Sequence, residues 1–183
     1  KNYLRVLNSL PGVNLLMASD RSPEILARKR ERYPSVEFTD DALEIFNSGK
    51  CTAVVIATPA TTHYSLVKAA LEADLDVLVE KPLTLQVDQA EELVALAEER
   101  GRILFVAHTF LFNSNVAAVK EMIEQGVLGD IFYLKFRRPP LGLIRNDVNA
   151  VWDLAPHDIS LCLHLLGASP TRVQAIGSMP LNS

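Results

Sequence analysis

The chain is poor in several features that would each point to a class of function. It has no apolar run approaching the ~20 residues of a membrane-spanning helix, so no membrane span is expected. Its first residues, KNYLRVLNSL, are broken by polar side chains and hold no signal-peptide core. It has two cysteines, Cys51 and Cys162, too far apart in sequence for a metal-ligand spacing and too few for a disulfide framework. A cytoplasmic location is the expectation. Eighteen basic residues against 22 acidic ones give a net charge of −4 without a basic cluster, which argues against nucleic acid as a partner. His63, His108 and His164 form no recognised metal spacing with Asp153 and His157, so no metal site is expected. Nor is there a G-x-G-x-x-G turn; the first glycine, Gly12, follows the end of a helix. No internal repeat or low-complexity segment is present.

What is present is a run of alternating β and α signals. The 183 residues are 49% hydrophobic, enough to core one large domain or two small ones. The chain is organised around residues 52–82. Residues 53–57 (AVVIA) predict a strand buried on both faces, of the kind found in parallel sheets. Thr58-Pro59 ends it, because proline lacks an N–H and disfavours helix at the residue before it. Thr61 or Thr62 is then expected to cap a helix with Leu66, Val67, Ala69, Ala70 and Leu71 on one face. Residues 76–79 return as a second strand, closed by Glu80-Lys81-Pro82. In such sheets ligands bind beyond the carboxyl ends of the strands, which is where Thr58-Pro59 and Glu80-Lys81-Pro82 fall.

Upstream, residues 2–10 predict the end of a helix, 13–19 a buried strand closing on Asp20, and Ser22-Pro23 the start of another helix reaching Tyr33-Pro34. A short helix over 41–47 follows. Downstream, 87–100 is the clearest amphipathic helix, with Gly101 as its C-cap, and 103–107 a further buried strand. Together these imply a doubly wound, Rossmann-like parallel sheet over residues 1–108, expected to lack its first strand and glycine loop. From 109 to 183 the pattern changes. Ser114 is expected to cap a helix through Gln125; 131–138 alternates strictly, with Phe132, Leu134 and Phe136 on one face, as in a sheet covered on one side. A long loop over 139–151, a helix over 153–166 and a strand over 172–177 complete what reads as an incomplete α+β domain.

Several residues in this frame suit chemistry. Asp20, closing a strand, suits the hydroxyl pair of an adenosine ribose; Arg21 beside it suits a 2′-phosphate instead, so NAD and NADP both stay open. Each also has a plain reading as a surface charge. Lys81 is positioned either to hold a substrate hydroxyl or to be a solvated cation. Asp153 and His157 are four apart and share a helix face, so a carboxylate can orient an imidazole that takes protons near neutral pH. The competing reading makes Asp153 an N-cap and His157 a packed core residue. Asn149 and Trp152 stand ahead of the acid, where they line a sugar site or, for Trp152, staple the helix start.

Taken together, IATPATTH at 56–63, ALEADLDVLVEKP at 70–82 and WDLAPHDIS at 152–160 resemble the glucose–fructose oxidoreductase / inositol dehydrogenase / MocA (Gfo/Idh/MocA) family over almost the whole chain. The resemblance implies an NAD(P)-dependent oxidoreductase acting on a sugar, nucleotide-sugar or cyclitol hydroxyl. It implies that Lys81 contacts substrate and nicotinamide, that His157 is the acid/base and that Asp153 assists it. It places Thr58, Pro59, His63 and Glu80 along the cofactor with Asp20 on its ribose, and Arg145, Asn149 and Trp152 at the substrate. It also implies a cis bond before Pro82 and assembly into homodimers or homotetramers. The segment 145–160 is most like the branch acting on nucleotide-linked amino sugars. The stretch 110–113 (FLFN) departs from the pattern by lacking a basic residue. The alternative to an enzyme is a non-catalytic binding or scaffold module that keeps the fold without a working cofactor site.

Overall fold

The computed structural model describes residues 2–138 and 148–177. They form two compact units: residues 2–107 with 148–153, and residues 108–138 with 154–177.

The first unit opens on α1 (Asn2–Leu7), followed by turns and by Gly12 at φ +80°. β1 (Met17–Ser19) pairs in parallel with β2 (Glu37–Thr39), and α2 (Pro23–Arg32) connects them. Ser22 caps α2 as expected: its Oγ accepts the N–H of Ile25 at 3.3 Å, and Pro23 occupies the first turn, where a missing N–H costs little. The strand expected over 13–19 is only three residues long. A strand lasts as far as its partner's ladder does, β2 is three residues, and Val13 and Leu16 are left exposed. β2 had no sequence signal of its own, because Glu-Phe-Thr is too short and too polar to register as a buried run. α3 (Ala42–Phe46) follows, capped by Asp41, whose carboxylate accepts the Leu43 N–H at 2.9 Å.

β3 (Ala53–Ile56), β4 (Asp76–Glu80) and β5 (Leu104–Ala107) make a second parallel sheet in that order. Parallel neighbours need a crossover, supplied by α4 (His63–Glu72) and α5 (Val87–Arg100). The core sits where α4 and α5 meet this sheet. Val67, Leu71, Val79 and Leu93 have no solvent exposure, each contributing on the order of 1.5–3 kcal/mol by burial. α5 begins and ends at the expected residues, and Gly101 closes it at φ +60°. The start of α4 differs. Ala60–Thr62 form a 3-10 turn, and Thr62 does not cap the helix: its Oγ1 turns back to the Thr58 hydroxyl and the Pro59 carbonyl, 2.8 Å from each.

In the second unit, a 3-10 turn (Thr109–Phe112) leads into α6 (Ser114–Glu124). Its cap is Asn113, whose Oδ1 accepts the Asn115 N–H at 2.8 Å, and not Ser114. α7 (Ala150–Leu166) begins in the first unit and continues in the second. It starts three residues earlier than expected. Asn149 is the residue that caps it, accepting the Trp152 N–H at 3.0 Å, so Asp153 lies inside the first turn. This also removes the staple reading of Trp152, which is inside the helix and not ahead of it. The strands expected over 131–138 and 172–177 do not form among the described residues. Alternation alone makes no strand without a neighbouring ladder, and Phe132 and Ile176 are 90% and 91% exposed. No helix among the described residues is long and apolar enough to cross a membrane.

Candidate active site

In the first unit the parallel sheet presents the carboxyl ends of β3 and β4 side by side, since Ile56 pairs with Val79. The two turns that leave this edge carry Thr58-Pro59 and Lys81-Pro82, and the Lys81–Pro82 peptide is cis, as the resemblance implied. Lys81 is not a solvated charge: its side chain is 11% exposed. Its ammonium donates to the backbone carbonyl of Asp153 and lies 3.1 Å from Asp153 Oδ1. A charge-assisted pair this sheltered is worth most as an arrangement, because removing either member strands the other in a poorly solvated place.

Glu80 is held from another direction. Its Oε1 accepts a 2.8 Å hydrogen bond from the Tyr3 hydroxyl, tying α1 to the end of β4. Burial, and then the bond to and the charge of Glu80, push the Tyr3 hydroxyl up to about 12. His63, the first residue of α4, is 1% exposed. Its Nδ1 is 2.7 Å from the Pro82 carbonyl and its Nε2 3.0 Å from the Thr58 carbonyl.

At the other sheet, Asp20 follows β1 and its Oδ1 accepts the Ser22 N–H at 2.9 Å. Ser19 and Asp20 line a cleft of about 530 Å³ together with Arg5, Arg28 and Lys29, walled by Tyr33. Arg21 is exposed and does not line this cleft. The donor set fits the ribose end of a dinucleotide: a carboxylate that accepts from hydroxyls, beside cations that suit phosphate oxygens. The sequence holds no glycine-rich turn for the pyrophosphate.

α7 carries Asp153 and, one turn on, His157 on the same helix face. Within the second unit the His157 ring meets Phe110 edge-on, with centroids 4.7 Å apart and planes at 79°. The Arg138 guanidinium lies 5.1 Å from the Phe110 centroid. Arg138 is fixed in turn by Asp158, with Nη2 at 2.8 Å and Nε at 3.1 Å from Oδ1. Sequence reasoning did not find Phe110, Arg138 or Asp158, because nothing in their spacing links three segments so far apart. Burial lowers His108 from the ordinary imidazole range, and its Nδ1 has no hydrogen-bond partner among the described residues.

Lys81 and Asp153 are therefore brought together, and Thr58 and His63 join them at the turns of one sheet edge. Asp20 and Arg21 belong to the other sheet. Asn149 uses its side-chain oxygen to cap α7, and Trp152 is about a third exposed beside it. Arg145 lies outside the described residues. Among the described residues no cluster of His, Cys, Asp or Glu is arranged to hold a metal.

Comparison with known proteins bears on the family and the fold. Residues 1–108 match the family model described as "Oxidoreductase family, NAD-binding Rossmann fold", and residues 116–182 match the GFO/IDH/MocA C-terminal domain. The chain is 34% identical over 161 residues to the UDP-N-acetylglucosamine 3-dehydrogenase of Acidithiobacillus ferrooxidans, covering 87% of this chain and 48% of that protein. It is 28% identical over 177 residues to the scyllo-inositol 2-dehydrogenase (NAD(+)) of Bacillus subtilis, covering 94% and 52%. The structure of KijD10, a 3-ketoreductase from Actinomadura kijaniata in complex with NADP and TDP-benzene, aligns with a TM-score of 0.63 at 31% identity, over 68% of this chain and 38% of that one. The chain thus spans about half the length of the curated relatives it matches. With a family model matched along residues 1–108 and its companion domain along 116–182, the chain belongs to the Gfo/Idh/MocA oxidoreductase family.

Proposed function

We propose that this protein is an NAD(P)-dependent oxidoreductase that interconverts a secondary alcohol and a ketone on a sugar, nucleotide sugar or cyclitol. The observation that carries the reading is the sheltered pair of Lys81 and Asp153 at the end of β4. In the oxidative direction His157 takes the hydroxyl proton, and the Asp153 carboxylate orients the imidazole and stabilises its charged form. The Lys81 ammonium stabilises negative charge developing on the same oxygen. The nicotinamide, when bound, supplies the hydride chemistry. Thr58, Pro59, His63 and Glu80 lie along the cofactor, His63 through the Thr58 and Pro82 carbonyls its buried ring meets, and Asp20 faces its ribose, with Arg21 available to a 2′-phosphate. Arg145, Asn149 and Trp152 serve the substrate. Residues 1–108 act as the cofactor domain and 109–183 as the substrate and oligomerisation domain of a cytoplasmic homodimer or homotetramer.

Within that class, a nucleotide-linked amino sugar is the substrate we favour. The similarity to a UDP-N-acetylglucosamine 3-dehydrogenase and to a 3-ketoreductase solved with TDP-benzene supports it. General acid–base catalysis is worth ~10²–10⁴-fold, so His157→Ala in the intact protein should lose turnover on that scale while calorimetry still detects NADH binding. Turnover across a panel of nucleotide sugars and cyclitols identifies the substrate. Undiminished turnover in the variant removes His157 from the mechanism.

A further inference from the structure

α7 is missing a backbone bond beside His157. Pro156, the residue before it, lies inside the helix and has no N–H to donate. Side chains of the second unit brace the same place. Arg138 donates to the carboxylate of Asp158, the residue after His157, with Nη2 2.8 Å from Oδ1 and Nε 3.1 Å and 3.2 Å from Oδ1 and Oδ2. The two side chains are 29% and 25% exposed. The same guanidinium lies over the Phe110 ring, 5.1 Å from its centroid, and that ring meets the His157 imidazole at 4.7 Å. His157 thus has one neighbour in sequence and one in space, and a single guanidinium engages both. A planar fork that pairs with a carboxylate while stacking on a ring is what arginine offers and lysine does not.

We propose that Arg138 is a positioning residue for His157: anchored on Asp158, it holds the Phe110 ring in the place against which the imidazole is set. The consequence is geometric. The Phe110 ring comes from the 3-10 turn Thr109–Phe112 and the imidazole from α7, and Arg138 joins the two from a third segment. An edge-on ring contact has a preferred angle, here 79°, so a fixed Phe110 restricts how the imidazole can turn. Without the guanidinium, Phe110 is free to shift and Asp158 is left without its partner. The inference rests on the oxidoreductase reading above, in which His157 moves the proton; Arg138 then acts on turnover through Phe110 without touching substrate.

The test uses the intact protein. In Arg138→Gln kcat should fall about 10²-fold, the scale of a catalytic group misplaced by about 1 Å, with a smaller change in KM. Arg138→Lys restores a cation opposite Asp158 without the fork, and covers the case in which the Gln variant fails to fold. It should keep thermal stability close to that of the wild type while its kcat stays low; wild-type kcat in the Lys variant makes the pair an ordinary ion pair and overturns the proposal. Phe110→Leu should lower kcat on the same scale. Adding Arg138→Gln to it should lower kcat little further, and losses that multiply mean that Arg138 does not act through Phe110. The second readout needs no activity. The His157 ring protons, assigned by their loss in His157→Ala, should carry a ring-current shift in the proton NMR spectrum that Phe110→Leu abolishes and Arg138→Lys alters. An unaltered signal in the Lys variant overturns the proposal. If the wild-type protein shows no oxidoreductase activity, the function reading fails, and the His157 signals still decide whether Arg138 sets the place of the imidazole.

Discussion

The two units hold the side chains of the proposed mechanism by different means. In the first, Lys81 is placed by a sheet: β4 is paired on both sides, and its Val79 is fully buried in one core with Leu71 of α4 and Leu93 of α5. In the second, Leu161 and Leu165 are the only buried apolar residues described, each 8% exposed. There His157 is surrounded by directional contacts, an aromatic edge from Phe110 backed by the Arg138–Asp158 pair. A packed core fixes a backbone and lets a side chain inherit its place. A chain of polar and aromatic contacts fixes a side chain one partner at a time, and is correspondingly easier to detune.

That contrast can be broken or sharpened by substitution. The largest effect is expected for Leu71→Ala, which opens a cavity in the first unit and should cost about 2–5 kcal/mol in denaturant unfolding of the intact protein. A loss under about 1 kcal/mol would mean that this core is not what sets the first unit apart. Lys81→Met should cost some stability, because Asp153 loses its partner, and in the folded protein lower turnover by about 10²–10³-fold, the scale for removing one group that stabilises developing negative charge. Normal turnover there would make the pair with Asp153 purely structural. Asn149→Ala removes the cap of α7 and should cost about 1 kcal/mol. Ile176→Ala, at an almost fully exposed site, should stay within about 0.5 kcal/mol, and a larger loss would reveal packing on that surface.

The smallest predicted effect concerns pH. Tyr3 is raised from 10.0 to about 12 in the folded protein. The unfolded chain therefore releases this proton first as pH rises, so ν_U − ν_N is negative between the two values and stability falls there. Any contribution from Tyr3 is complete below pH 10 and is lost as pH climbs toward 12. Tyr3 is only partly buried, so solvent screening keeps the effect small. Thermal melts of the wild type should decline across that window more steeply than those of Tyr3→Phe, and parallel curves would count against the Tyr3–Glu80 bond.

Much of the first unit was legible before any coordinates. Val87–Arg100 carries its own apolar stripe and its own glycine stop, so the helix and its ends follow from local rules. The same holds for the cap at Ser22 and for the apolar runs that became β3, β4 and β5. The errors fall where a local pattern needed a distant partner. Glu37–Thr39 is a strand because β1 pairs with it, and nothing in those three residues says so. Residues 131–138 alternate as a strand should, yet form none among the described residues. Caps were misplaced by one to four residues, at Asn113 and Asn149, because several polar side chains near a helix start compete and only backbone geometry selects one.

The candidate site divides along the same line. The residue types and their order along the chain, a lysine after a strand and a carboxylate four residues ahead of a histidine, were determined by the sequence, because strand ends and helix periodicity are local properties. That the Lys81 ammonium grips Asp153, that His63 spans two carbonyls, and that Arg138 backs the ring against His157 were decided by the tertiary structure. All of these contacts except the local one from His63 to Thr58 join residues 19 or more positions apart, and only a folded backbone brings such groups within a hydrogen bond or a ring contact of one another.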